Sequence, residues 1–369
     1  MRSQSLHVRS VAIYYPRMAS PTTHPTAAEP PLTRHEQAAA GEARAIQEIL
    51  RIIQDNLRKQ FPAGGGPMRR DAHPKHHGVV SAELVVEASL PPELAVGVFR
   101  APRRYPAWVR FSNGSGTVQP DYVRDGRGIA IKLMGVEGAK LLDDEARTQD
   151  FLFINHDVFA VKDAADYVEL FHHIERDGAP TKFFLSANPF KWHLRELTNA
   201  NKIRVQVSNM LTLQYWTMTP YLMGDTPAKF SVRPSALANT GAPPGSGPDY
   251  LRDVMVRDLG QGSVSFDFLV QLQTDALTMP VEDPRIRWDP ARSPFRKVAS
   301  LHIPQQRFDS PVQMQFAEDL SYSPWHCIAE HQPLGGVNRC RRVIYRAIAE
   351  FRHQANGRAL VEPNGDERF

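Results

Sequence analysis

Residues 263–273, Ser263-Val264-Ser265-Phe266-Asp267-Phe268-Leu269-Val270-Gln271-Leu272-Gln273, decide the fold class. Val264, Phe266, Phe268, Val270 and Leu272 alternate with Ser265, Asp267, Leu269 and Gln271. A period of two belongs to a half-buried strand, because successive side chains point to opposite faces. Further short β-rich runs, each bounded by turn residues, cover 79–88, 107–112, 128–134, 151–161, 211–221 and 297–303. Helical spacing intervenes only at intervals, over 164–176 behind Asp163 as cap and over 249–259 after the Pro/Gly-rich loop 241–248. Many strands with few crossover helices predict an α+β chain built on an antiparallel sheet or barrel with surrounding helices, in a single domain.

Outward from that centre, residues 1–32 are rich in Pro, Thr, Ser and Ala and read as a disordered arm. Thr33 and Glu36 make a capping-box pair that predicts the start of a helix, carried on by Ile46, Ile49, Leu50, Ile53 and Leu57. Pro62 and the run 63–67 stop it. The main domain is expected over 33–357, with 358–369 as a tail.

Composition narrows the function. A net charge of +4 over 369 residues, with no dense basic run, gives no case for nucleic acid as a partner. The apolar run 11–15 is too short for a secretory segment or a membrane span, and no other stretch is long enough. Two cysteines, Cys327 and Cys340, allow neither a disulfide framework nor a zinc site. A reduced, cytoplasmic setting is expected, with both thiols as small buried hydrophobes.

The stretch 338–353 is a predicted helix, with Asn338 as cap behind Pro333 and Gly335-Gly336. Arg341, Tyr345 and Arg352 share one face of it with Ile348. A phenol titrates near pH ~10. An adjacent guanidinium stabilises the phenolate, and tyrosinate is an axial ligand for heme iron; on the helix alone the plainer reading is an amphipathic helix with its arginines paired to carboxylates and Tyr345 in the core.

Five segments in order then carry a resemblance. They are Arg70-Asp71-Ala72-His73-Pro74-Lys75; Val109-Arg110-Phe111-Ser112; Arg124-Asp125-Gly126-Arg127-Gly128-Ile129-Ala130-Ile131-Lys132; Phe153-Ile154-Asn155-His156-Asp157-Val158-Phe159; and Arg341-Arg342-Val343-Ile344-Tyr345, with Arg352 seven residues on. Together they resemble the catalase superfamily, most closely its small bacterial catalase-related heme proteins. The resemblance runs from about Arg70 to His353.

That resemblance implies heme b as cofactor, Tyr345 as iron ligand, and His73, Ser112 and Asn155 as catalytic residues on the open side. It implies Arg70, Arg110 and Arg352 for the heme propionates, Arg341 for Tyr345, and Tyr167 where the family carries a heme-flanking Phe. The substrate it implies is a small peroxide, with organic hydroperoxides beside hydrogen peroxide. Two alternatives stand beside peroxide breakdown: a fatty-acid hydroperoxide isomerase or lyase, and a heme-binding or sensing protein without turnover. Retention of His73 and Asn155 argues against the last. Asn113 and Gly114 depart from the family's usual Thr and Val, and Gly114 is expected to widen an access channel. Oligomeric state, homo-oligomer or monomer, stays open.

Overall fold

The computed structural model describes residues 30–177, 181–185, 192–236 and 245–369. The arm expected over 1–32 lies almost wholly outside them, as does part of the loop 241–248. The chain divides into Met1–Pro31 and Leu32–Phe369, and every described helix and strand belongs to the second unit.

Among the described residues nine strands form one sheet: β1 (His76–Val86), β2 (Arg104–Asn113), β3 (Arg127–Leu133), β4 (Gln149–Ile154), β5 (Tyr215–Trp216), β6 (Tyr221–Met223), β7 (Thr226–Pro234), β8 (Val264–Leu272) and β9 (Arg296–Ile303). Their order is β5-β4-β3-β2-β1-β9-β8-β7-β6, all neighbours antiparallel, and β5 also pairs with β7. That pairing closes an eight-stranded barrel and leaves β6 outside the ring. Closure removes the unpaired edges an open sheet exposes.

The barrel is filled by one face of each strand. Val109 and Phe111 of β2, Ile129 and Ile131 of β3, Phe151 and Phe153 of β4, and Phe266, Phe268 and Val270 of β8 share one buried cluster. The alternate residues of β2, β3 and β4 therefore point away from the barrel centre, which puts Arg110, Ser112, Gly128, Ala130, Leu152 and Ile154 on its outer wall.

Helices pack outside: α1 (Glu42–Gln60), α2 (Ala164–Asp177), α3 (Thr181–Phe184), α4 (Leu194–Ile203), α5 (Tyr250–Gln261), α6 (Pro311–Asp319) and α7 (Gly336–Ala355). Ile46, Ile49, Ile53 and Leu57 of α1 meet Cys340, Ile344 and Ile348 of α7 in a second apolar cluster. Among the described residues no helix is long and apolar enough to cross a membrane.

Several local expectations are corrected. The Thr33 amide donates to Glu36 Oε2 at 3.1 Å, as a capping box would, but a turn follows and α1 starts only at Glu42 behind Gly41. Glu36 is instead spent on α7, accepting from the Gly335 amide at 2.9 Å and from Arg339 at 2.8 Å. Asn338 lies inside α7, not at its cap, and its amide donates to Pro220 O and Leu334 O. The run 151–161 is strand only to Ile154, and 211–221 breaks into a 3₁₀ turn and the short β5. Strand β7 and helix α6 were not expected. Asp163 does cap α2, accepting from the amides of Ala165 and Asp166.

Candidate active site

A cavity lies between the outer barrel wall and α7, with about 840 Å³ of space when the open solvent at its mouth is counted. The wall contributes Arg110, Ser112, Gly128, Ala130, Leu152 and Ile154; α7 contributes Arg341, Tyr345, Ile348, Ala349 and Arg352. The segment Arg70–His73, Ile129, Phe153, Met218 and the pair Ser321-Tyr322 complete its lining.

Strain converges here. Among the described residues only His73 (φ 58°) and Met218 (φ 55°) are non-glycines in the left-handed region, and both line this cavity. Such backbone persists where surrounding structure over-determines it. At His73 the restraints are visible: its carbonyl accepts from Arg110 Nη2 at 2.8 Å, and its Nδ1 is 2.9 Å from Ser112 Oγ. The Ser112 contact occupies one ring nitrogen and leaves Nε2 for a ligand. Burial, then the charges of Arg110 and Arg341, push the imidazole down to about 3, so the ring is a neutral base at neutral pH. Met218 is held by reciprocal bonds between its neighbours, Thr217 Oγ1 to Thr219 O at 3.0 Å and Thr219 Oγ1 to Thr217 O at 3.1 Å.

On α7, Arg341 Nη2 donates to Tyr345 Oη at 3.1 Å, and the guanidinium lies 5.1 Å from the Tyr345 ring centroid. Its other contacts are the neutral Thr219 Oγ1 at 3.4 Å and Asn338 Oδ1 at 3.2 Å. Thr219 thus joins the strained Met218 turn to the Arg341–Tyr345 pair.

Arg70, Arg110 and Arg352 gather at one part of the lining, near Glu318, which is 3.4 Å from Arg70, and near Asp319, whose charge acts on Arg352. Burial and the neighbouring Arg70 hold the guanidinium of Arg110 down to about 9, and the same causes bring Arg352 to about 9. Arg110 Nε is buried with no protein partner among the described residues. Crowded cations of this kind suit carboxylates, to which the guanidinium fork is matched. The donor set therefore fits a flat apolar group with carboxylates near the arginines and a metal facing the Tyr345 phenol.

Two sequence-predicted residues are not brought into the lining. Asn155 is occupied by backbone: its Oδ1 accepts from the Arg127 amide at 2.6 Å and its Nδ2 donates to Ile203 O at 3.0 Å. It pins the start of β3 to the end of α4. Tyr167 packs against Phe171 at 4.9 Å and Phe159 at 6.0 Å, in the cluster behind α7. Gly114 is likewise absent from the lining; its amide donates to Gly126 O at 2.8 Å, and a β-carbon there would meet Gly126 backbone at 3.2 Å. The contact is one of close backbone packing. Asp71, Met218 and Tyr322 line the cavity without having been singled out. Asp71 stands in the segment Arg70–Lys75, two residues before His73; nothing local marks the other two.

Three solved structures to which this chain is similar are catalases. A fungal catalase matches with a TM-score of 0.60 and 16% identity over 82% of this chain and 63% of its own. Catalase A from Saccharomyces cerevisiae gives 0.59 and 15% over 78% and 61%, and a bacterial catalase 0.57 and 17% over 78% and 57%. The fold is catalase-like. The chain spans about three fifths of the length of those catalases. No protein-family model and no curated protein matches it.

Proposed function

We propose that this chain is a heme-b enzyme that processes peroxides, acting on hydrogen peroxide and on small organic hydroperoxides. The observation that carries the reading is one cavity bearing a neutral, Ser112-anchored imidazole, an arginine-paired phenol and a cluster of three arginines. Tyr345 would ligate the iron through its phenol oxygen, with Arg341 favouring the anionic form of a ligating phenol. Arg70, Arg110 and Arg352 would bind the propionates. Bound heme would supply the electrons for reductive cleavage of the peroxide O–O bond.

His73 Nε2 takes the proton from one peroxide oxygen and returns it to the departing oxygen, so that water leaves in place of hydroxide. Ser112 fixes the ring for that exchange. With Asn155 bound to backbone, positioning of the peroxide rests on His73 and on the apolar wall of Leu152, Ile154 and Met218.

The test is to load the protein with iron protoporphyrin IX and compare it with Tyr345→Phe. The proposal expects a high-spin ferric spectrum that the variant loses or shifts; an unchanged spectrum would remove Tyr345 as ligand. Turnover of hydrogen peroxide and of a fatty-acid hydroperoxide, measured side by side, separates peroxide breakdown from isomerase or lyase chemistry. No turnover of either leaves a heme-binding protein only.

A further inference from the structure

We propose a second place of reaction: Trp108 as a one-electron oxidation site near the surface, with Glu367 as its proton acceptor, serving phenolic reductants. It rests on the peroxide reading of the cavity. Trp108 is two residues before Arg110 on the same outward face of β2, a step of roughly 7 Å along a strand. Arg110 and Tyr322 line the cavity, and Trp108 and Tyr322 belong to one buried cluster, against which Ala130 and Leu152, also in the lining, pack. The indole is thus within a side chain's thickness of the cavity wall.

Its other side faces the chain's last residues. Trp108 Nε1 donates to Glu367 Oε2 at 2.9 Å. The Glu367 carboxylate is held in place by the amides of Asn364 at 2.9 Å and Gly365 at 3.1 Å. The half-exposed Phe369 ring packs edge-on against Trp108 at 5.8 Å, and Phe316 at 5.1 Å. An indole that loses an electron becomes a strong N–H acid, and here the proton has a carboxylate to go to. Tyr322 is the less suited donor: burial and the nearby Asp150 charge push its phenol up, and its oxygen has no protein partner among the described residues.

The chemistry balances over two passes. Hydrogen peroxide, reduced at the cofactor, takes two electrons and two protons and leaves as two waters. Each electron is drawn from Trp108, whose N–H proton passes to Glu367. A phenol at the Phe369 patch then gives one hydrogen atom's equivalent, an electron to the indole and its O–H proton to solvent; the Glu367 proton returns to the indole nitrogen. Two phenoxyl radicals result per peroxide.

The test uses heme-loaded full chain, hydrogen peroxide and a nitroso spin trap, with the labelled residue found by peptide mass spectrometry. The label is expected on Trp108 and is lost in Trp108→Phe, while consumption of hydrogen peroxide by that variant in the absence of phenol persists. Glu367→Gln, which keeps the packing, should lower oxidation of a bulky phenol ~10²-fold, the lower range for a positioned proton acceptor. A label on Tyr322 alone, or undiminished phenol oxidation in both variants, overturns the proposal. If Trp108→Phe does not fold, as circular dichroism would show, the label on the parent and Glu367→Gln decide. Failure to bind heme at all, seen in the absorption spectrum before peroxide is added, is failure of the peroxide reading instead.

Discussion

The imidazole of His73 lies against Gly128 so closely that a β-carbon at 128 would come within 2.6 Å of His73 Cε1 and 2.8 Å of its Nδ1. The ring, its Ser112 partner at 2.9 Å and the bare backbone of β3 form one packed unit. Gly128→Ala should therefore push the imidazole off its site. The expected result is a loss of about 1–3 kcal/mol in unfolding free energy, as for overpacking, together with a fall in peroxide turnover. Unchanged thermal melting and turnover would show that the ring is free to move.

Replacing His73 by Ala should leave heme binding intact and lower peroxide turnover ~10²–10⁴-fold. Ser112→Ala removes only the anchor, so a smaller fall of the same kind is expected, without a spectral change. Stopped-flow mixing with hydrogen peroxide measures both. Parental rates in His73→Ala would take the proton role away from this residue.

Arg339 joins the start of α7 to the segment leading into α1, meeting Glu42 at 2.6 Å, Glu36 at 2.8 Å and Glu282 at 3.0 Å. Removing one partner from a largely buried ion cluster costs about 3–5 kcal/mol, because the others are left unpaired. Arg339→Ala should show that loss in urea unfolding and should loosen α1 first, seen as faster amide exchange in residues 42–60.

Acid should weaken the fold earlier than carboxylates alone would. Burial lowers His73 and His77 to about 3 and His76 and His331 to about 4, from an ordinary 6.5. Between those values the unfolded chain binds more protons than the folded one, so stability rises with pH through the window and falls as pH drops below about 6.5. Glu318, held low beside His76 and Arg70 against its burial, adds a further loss below its ordinary 4.5. His326 opposes the trend: despite burial it is raised by Glu145, Asp144 and Asp150, and its contribution is lost only as pH climbs through its folded value. Urea midpoints across pH 4 to 6.5 should slope upward, and His331→Gln should flatten the slope. A level profile would contradict the buried neutral imidazoles.

The sequence by itself determined the class of the fold, and seven of the nine residues it singled out for a site line the cavity. Alternation in 263–273 reports a strand because one face of β8 must be apolar to fill a barrel, and that requirement is local in the chain. The same holds for the stripe of Arg341, Tyr345, Ile348 and Arg352, which one helix brings together without help. Strand β7 escaped because its outward residues are held by distant partners: Lys229 lies 5.3 Å from the Trp288 ring centroid, and Ser231 donates to Tyr215 O at 2.8 Å. Pro227 and Pro234 further masked it as loop. The run 211–221 did not show which two of its residues close the barrel, since β5 exists only by its pairing to β4 and β7. Tertiary structure alone decided that Asn155 locks backbone, that Met218 is strained into the cavity, and that Glu36 serves α7 and not α1. For Asn155 and Glu36 the partner lies roughly 30 to 300 positions away, out of reach of any local reading of the chain. A motif can name such a residue, but only the packed chain shows what its hydrogen bonds are used for.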